Sequence, residues 1–326
     1  MSPVPSSFVT WLRSPWLVGL AGLLMAGWFT QMHGQQAEQF LEWRDFVNFV
    51  GEHPFQARVL PFVMARIANA FHRLGSLGLF NFFLTVDFIA TFAAFMLVWK
   101  AAWKVLDDAR GVLIAMVLFW WQMWVTFVFS PVHNYYYPYD MMSVAFVAAG
   151  VWMTVSGQGL KPMLMLLVLA MLNRETAVVL PFFYLAWHGV SSRRVLAQVL
   201  LMLLLCVGIK LGISHMLRAY DEMASLEHVP GLPRYIYNFT FVTLKPEFLH
   251  TANAFLALGM LWLALPLPGQ ADTRLKRMMW CFVPYLAGMA VVGNLSEIRI
   301  FAEFIPLVAL LLASKWSVRG QPSSAH

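Results

Sequence analysis

The chain carries too little charge for its size. Only 12% of its 326 residues are Asp, Glu, Lys or Arg, about half the share found in an ordinary soluble domain. So sparse a set of ionised groups cannot give a body of this mass a water-soluble surface, which excludes a soluble enzyme and a coiled coil. Cysteine is nearly missing too. Cys206 and Cys281 both lie inside apolar runs, where a free thiol behaves as a small hydrophobe. A disulfide-stapled secreted scaffold is therefore excluded, and the redox compartment stays open. HExxH, GxSxG, Walker A, CxxC and GxGxxG signatures are absent as well. Zinc protease, serine hydrolase, NTPase and dinucleotide chemistry have no support.

What the sequence has in abundance is apolar length. Hydrophobic residues make up 60% of it, and the mean hydropathy is +0.67. Runs at 16–32, 78–99, 111–130, 139–156, 194–217, 251–268, 278–293 and 300–314 are each long enough to cross a hydrocarbon layer of roughly 30 Å as a helix. This predicts an all-α polytopic membrane protein with about eight full spans. It forms a single transmembrane domain over 1–315 with a disordered cytoplasmic tail over 316–326. Arg13 precedes the first run and no small-residue cleavage pattern follows it, so the first helix is expected to stay uncut.

Two stretches do not read as simple spans. Residues 59–74 are apolar but carry Arg66, Asn69, His72 and Arg73 along one side, as suits a helix lying in the interface. Residues 161–188 are too long for one span and are interrupted by Asn173, Arg174 and Glu175. A helix of about 12 residues reaches only some 18 Å, so two such arms would make a re-entrant hairpin with a charged tip.

Charge supports both readings. With 59–74 lying flat and 161–188 returning to its own side, the connectors around Arg13, Lys100, Lys104, Arg110, Lys161, Arg193, Arg194, Arg274, Lys276, Arg277, Lys315 and Arg319 share one face. They hold 12 basic residues against three acidic ones, a net +9; the other face sums to −2, and the membrane segments, with Arg174 and Lys210 against Asp87, Glu175 and Glu303, to −1. By the positive-inside rule both termini are cytoplasmic. The overall +6 is thus a topological signal and implies no nucleic-acid partner.

The outer connectors at 31–77 and 218–250 are long, and this face is polar and aromatic, so function is expected there. A carboxylate at the membrane surface can accept the proton of an acceptor hydroxyl while a lipid-phosphate leaving group departs beside it. Asp45 in EWRDF is the candidate base, with Glu42 the alternative. Arginines would bind the phosphate, because the guanidinium fork matches its oxygens and neutralises the charge that develops. Arg58, Arg174 and Arg299 are the candidates. His133, Tyr137 and Asp140 of HNYYYPYD could stack on or hydrogen-bond a sugar, and Glu175 and Glu297 flank the arginines. No cofactor is required, although Asp221, Glu222 and Glu227 could hold a divalent cation.

With Asp45 in EWRDFVNFV, Arg58 in FQARVLP and the intramembrane run Asn173-Arg174-Glu175-Thr176, the predicted topology resembles the GT-C superfamily of polyprenyl-phosphate-sugar-dependent glycosyltransferases. The resemblance implies a GT-C-like fold in a bacterial inner (plasma) membrane and catalysis by the first-loop acid. It also implies a polyprenyl-phosphate-linked sugar donor, a lipid, glycan or protein acceptor, and contact with membrane lipids. That superfamily often has an Asp pair or an Asp followed by Tyr, whereas here a single Asp45 precedes Phe46. A lipid-linked glycan polymerase or ligase and a transporter or flippase are the alternatives.

Plainer readings stand beside each of these. Acids on an outer loop obey topology, Arg58 could anchor a helix at the headgroups, and Tyr is enriched at membrane interfaces. Arg299 and Glu303 at i, i+4 could form an intrahelical pair. Asp87, inside its span, could be a counter-ion for Arg174, Lys210 could snorkel, and the sequons at Asn238 and Asn294 could be chance matches. The topology itself is checked by cysteine labelling in intact cells. Gln36→Cys and Ser225→Cys are expected to react with an impermeant maleimide and Gln270→Cys is not; labelling of Gln270→Cys from outside would reverse the later connectors.

Overall fold

In an apolar slab each backbone polar group must be satisfied within its own segment, which favours helices. The computed structural model describes residues 6–35, 47–48, 57–72, 75–129, 136–217, 231–239, 255–266, 271–295 and 297–317. None of the described residues is in a strand. The helices are α1 Ser6–Arg13, α2 Pro15–Gly34, α3 Val59–His72, α4 Ser76–Leu106, α5 Ala109–Trp124 with a π turn Val125–Phe129, α6 Asp140–Val155 and α7 Leu160–Asn173. A 3₁₀ turn Glu175–Val178 leads to α8 Val179–His188, then come α9 Arg193–Leu217 and α10 Leu232–Phe239. A 3₁₀ segment Ala257–Ala264, α11 Thr273–Met279, α12 Phe282–Val292, a 3₁₀ segment Ile298–Phe304 and α13 Ile305–Trp316 complete the order.

Four stretches, Leu77–Leu106, Ala109–Phe129, Arg193–Leu217 and Thr273–Val292, are long and apolar enough to cross a membrane. Trp16, Leu24, Leu204, Leu211 and Trp280 are all largely exposed, an outward apolar surface that belongs against lipid. This is an all-helical membrane protein.

Local chemistry sets the helix boundaries. Seven of the described helices, α2, α3, α7, α8, α10, α12 and α13, carry proline among their first three residues. There the missing N–H removes no intrahelical bond and the fixed φ suits the first turn. Between α4 and α5, Asp107 takes the left-handed conformation (φ 55°) that ends one helix. Asp108 then caps the next, accepting from Gly111 N at 2.8 Å.

The centre of the protein is α13, in which residues 305–314 are all buried; a helix apolar on every side belongs inside. It packs on α4, α5 and α6, and α4 also packs along α2 and α6. One end of this bundle gathers the basic connectors. Trp99 and Trp103 donate to Leu12 O at 3.0 and 3.3 Å, and Lys100 sits over the Trp152 ring at 5.5 Å. At the same end, Asp272 N donates to Ser314 Oγ at 3.2 Å, and Arg274 covers Trp187 at 4.2 Å.

The run 160–188 is broken at Arg174, whose backbone is extended (φ −160°, ψ 133°). Before the break, Asn173 Nδ2 donates to Tyr139 O at 3.0 Å and Ser143 Oγ at 2.9 Å, so α7 runs antiparallel to α6. After it, Leu180 lies against Gly150, and α8 returns beside the same helix. Tyr184–Gln198 at 2.9 Å and Lys210–Glu175 at 3.8 Å set α9 antiparallel to α8. The charged tip of this hairpin meets the start of α6, at the end remote from the basic connectors.

Three expected runs are less regular than their hydropathy implies. Within 251–268, Leu258, Gly259 and Met260 have positive φ (53°, 60° and 63°), so the described part is not one continuous helix. Gly259 is held there by Trp121, whose Nε1 donates to its carbonyl at 2.9 Å. The run 278–293 is interrupted by a turn at Trp280–Cys281, and 300–314 opens as 3₁₀. Of the expected loops, residues 36–46, 49–56, 73–74, 218–230 and 240–250 lie outside the described residues, as does the tail from 318.

The α6–α8 contact depends on Gly150, where a Cβ would stand 2.5 Å from Leu180 Cδ2. Gly150→Val is expected to cost about 1–3 kcal/mol through overpacking, read as a lowered thermal midpoint in detergent. Gly208→Val, on α9 where nothing lies within 4 Å, is expected to leave the midpoint unchanged.

Candidate functional site

Asp140 is the first residue of α6, where the positive end of the helix dipole favours a carboxylate. Its two oxygens accept from two different arginines. Arg174 Nη1 reaches Oδ1 at 3.3 Å and Arg299 Nη1 reaches Oδ2 at 3.3 Å. Asp140 is 2% exposed, Arg174 7% and Arg299 4%, so this bridge is shielded from water.

Each guanidinium has a second carboxylate. Arg174 Nε lies 3.6 Å from Glu303 Oε1, which also accepts the Thr176 hydroxyl. Arg299 binds Glu297 Oε2 through Nη2 at 2.5 Å and Nε at 3.1 Å. Tyr285 donates to Ile300 O at 2.5 Å and lies 3.4 Å from Glu303 Oε2. Below Arg174 a cavity with room for about one water is lined by Ser143, Val147, Ala177 and Glu303.

Aromatic faces close the cluster on the loop side. Arg299 lies over the Tyr137 ring at 3.8 Å and Arg58 over Tyr139 at 4.3 Å, with the two rings 5.2 Å apart. Burial pushes the Tyr137 phenol above its usual range, so it stays neutral under the guanidinium. Lys210 and Glu175 form a half-exposed pair at 3.8 Å on the outer flank of the hairpin tip.

Residues far apart in the chain thus converge: Arg58, Tyr137, Asp140, Arg174, Glu175, Glu297 and Arg299, all candidates from the sequence. Asp45, Glu42, His133 and the acids Asp221, Glu222 and Glu227 lie outside the described residues. The expected Arg299–Glu303 pairing is replaced, because residues 298–304 are 3₁₀. With about three residues per turn, i and i+4 point about 120° apart, and each side chain takes a different partner. Asp87 does not reach Arg174; it pairs with His33 Nδ1 at 3.2 Å, both fully buried. Asn238 is engaged in structure, donating to Ala290 O and Gly293 O at 2.8 and 2.9 Å and accepting from Leu295 N.

Thr176, Tyr285 and His33 were not expected. The signal for His33 was available: Asp87 is an ionisable residue inside an apolar run and needs a partner nearby, and His33 directly follows the run 16–32. Thr176 and Tyr285 carry no comparable mark. Comparison with family models, curated proteins and solved structures found no match to this chain.

The shared carboxylate makes the two arginines interdependent. Asp140→Ala is expected to cost about 3–5 kcal/mol, because it takes the shared carboxylate from two buried cations and leaves each with one. In a thermal-unfolding cycle, Asp140→Asn combined with Arg299→Gln is expected to cost less than the sum of the single changes. Strict additivity would mean that the bridge carries no coupling.

Proposed function

We propose that this protein is an integral-membrane glycosyltransferase of the GT-C kind, moving a sugar from a polyprenyl-phosphate carrier to a lipid, glycan or protein acceptor on the outer face of the membrane. The observation that carries it is the gathering of Arg58, Arg174 and Arg299 with two tyrosine faces and a bridging carboxylate at the end of the helices remote from the basic connectors. In this reading the basic end is cytoplasmic and the membrane is the inner (plasma) membrane of a bacterium.

The guanidinium edges that Asp140 and Glu297 now occupy match a phosphate's oxygens equally well. A phosphate entering the cluster would exchange with a carboxylate and would not meet a bare cation. Asp45, with Glu42 the alternative, accepts the proton of the acceptor hydroxyl. The acceptor oxygen forms its bond to the anomeric carbon as the bond from that carbon to the phosphate oxygen breaks. The arginines take up the charge that develops on the leaving phosphate. A divalent cation on the outer acids would add to that stabilisation.

A second reading, a transporter or flippase of a lipid-linked or anionic substrate, is favoured by one observation: a helical run broken at buried Arg174, as in transporters with discontinuous helices. A polymerase or ligase of lipid-linked glycans would use the same carrier and differ in product length. Transfer of labelled sugar from a polyprenyl-phosphate donor by the reconstituted protein separates these. Asp45→Asn is expected to lower transfer by about 10²–10⁴-fold with expression intact, and Glu42→Gln by far less. Full activity in Asp45→Asn removes it as the base, and flux of donor across vesicles with no covalent product favours the transporter.

A further inference from the structure

Beside the charged cluster lies a second buried polar group that sugar transfer does not use. His33, on the last turn of α2, and Asp87, in the first half of α4, are both 0% exposed and 3.2 Å apart. The imidazole is enclosed by aromatic rings, with centroids of Phe29, Phe127 and Tyr136 at 5.6, 5.3 and 4.9 Å.

The neighbouring helices present more polar atoms at the same level. Gly22 meets Phe95, Gly27 meets Phe88 and Gly34 meets Leu84, so α2 and α4 run antiparallel. This sets Thr30 beside Asp87, with Thr91 one turn further along α4. The contacts Phe29–Trp120, Trp28–Trp124 and Phe29–Phe127 bring the end of α5 and its π turn alongside. Among the described residues of this layer, His33 Nε2, Asp87 Oδ1 and Thr91 Oγ1 are buried with no hydrogen-bond partner, as is Trp120 Nε1.

More than nine in ten buried polar groups in native proteins are satisfied by protein or by ordered water. Four unsatisfied atoms in one interhelical layer therefore call for a ligand. Their chemistry selects it: the indole N–H only donates and the carboxylate oxygen only accepts, whereas a cation needs acceptors alone. Water meets both demands, and at about three hydrogen bonds per buried water one or two molecules would suffice.

We propose that the layer between α2, α4 and α5 holds a small hydrated chamber in which His33 and Asp87 together form a proton-binding site. The titratable groups of the described residues that act on it are Tyr136, its ring tilted against the imidazole, and Asp140, whose charge reaches Asp87. The chamber and the arginine cluster are therefore electrostatic neighbours. The proton site stands whether the cluster transfers a sugar or moves a solute.

Difference infrared spectroscopy of the full chain in nanodiscs, stepped between acidic and alkaline buffer, tests this. Carboxyl and imidazole bands are expected to titrate together, to shift on transfer to D2O within the mixing time, and to be lost in Asp87→Asn. His33→Gln, which keeps the carboxyl, is expected to move its band without abolishing it, and carries the test if Asp87→Asn does not fold. Bands that neither titrate nor exchange over hours would mean a dry structural ion pair and overturn the proposal. So would titrating bands that survive both substitutions unchanged.

Discussion

Carrying two guanidinium groups and their carboxylates into the interior of an apolar helical protein costs several kcal/mol for every ion left unpaired. The site end of the molecule is organised around that constraint. α7 stops at Asn173 and Arg174 turns extended, which lets its guanidinium reach both Asp140 and Glu303. The 3₁₀ segment before α13 separates Arg299 from Glu303 in direction, so that one joins Glu297 and Asp140 and the other joins Arg174 and Thr176. Asp140 opens α6, where a carboxylate is best tolerated, and there it ties the hairpin tip to the last helix. The break in the hydrophobic pattern is thus the condition for burying the charges.

Two polar interiors of opposite character result. Around Asp140 the guanidinium groups of Arg174 and Arg299 each have two carboxylates, and an anionic ligand must compete for them. Around His33 and Asp87 the protein leaves donors and acceptors unmatched and relies on water. Tyr136 stands between them, its ring on His33 and its neighbours Tyr137 and Tyr139 under arginines. The short aromatic stretch before α6 therefore joins two environments whose electrostatics differ, which is more than interface anchoring would require.

Much of the helical plan was legible because hydropathy and helix geometry share one length scale. The limits of α9 follow its apolar run closely, α4 outlasts its run by seven residues at the basic end, and the interruption at Asn173-Arg174-Glu175 announced its break. The prolines in the first turns of seven helices marked starts that hydropathy alone leaves blurred. Irregularity was less visible. Nothing in Leu258-Gly259-Met260 requires left-handed backbone; it follows from the close approach of Trp121, a contact 138 residues away. Arg58, Arg174 and Arg299 were identifiable as unusual charges, but their common carboxylate was not, since Asp140 looked like the end of a sugar-binding loop. Thr176 and Tyr285 are ordinary polar residues until the fold brings Glu303 to them.

The central claim, that the buried arginines receive a lipid-linked phosphate, is tested most directly by a density map of the protein in a nanodisc containing a polyprenyl phosphate. The predicted result is phosphate density between Arg174 and Arg299, with Asp140 or Glu297 displaced from its guanidinium and an acyl-like tail leaving toward the bilayer. A cluster whose ion pairs are unchanged, with the lipid headgroup bound elsewhere, would contradict it.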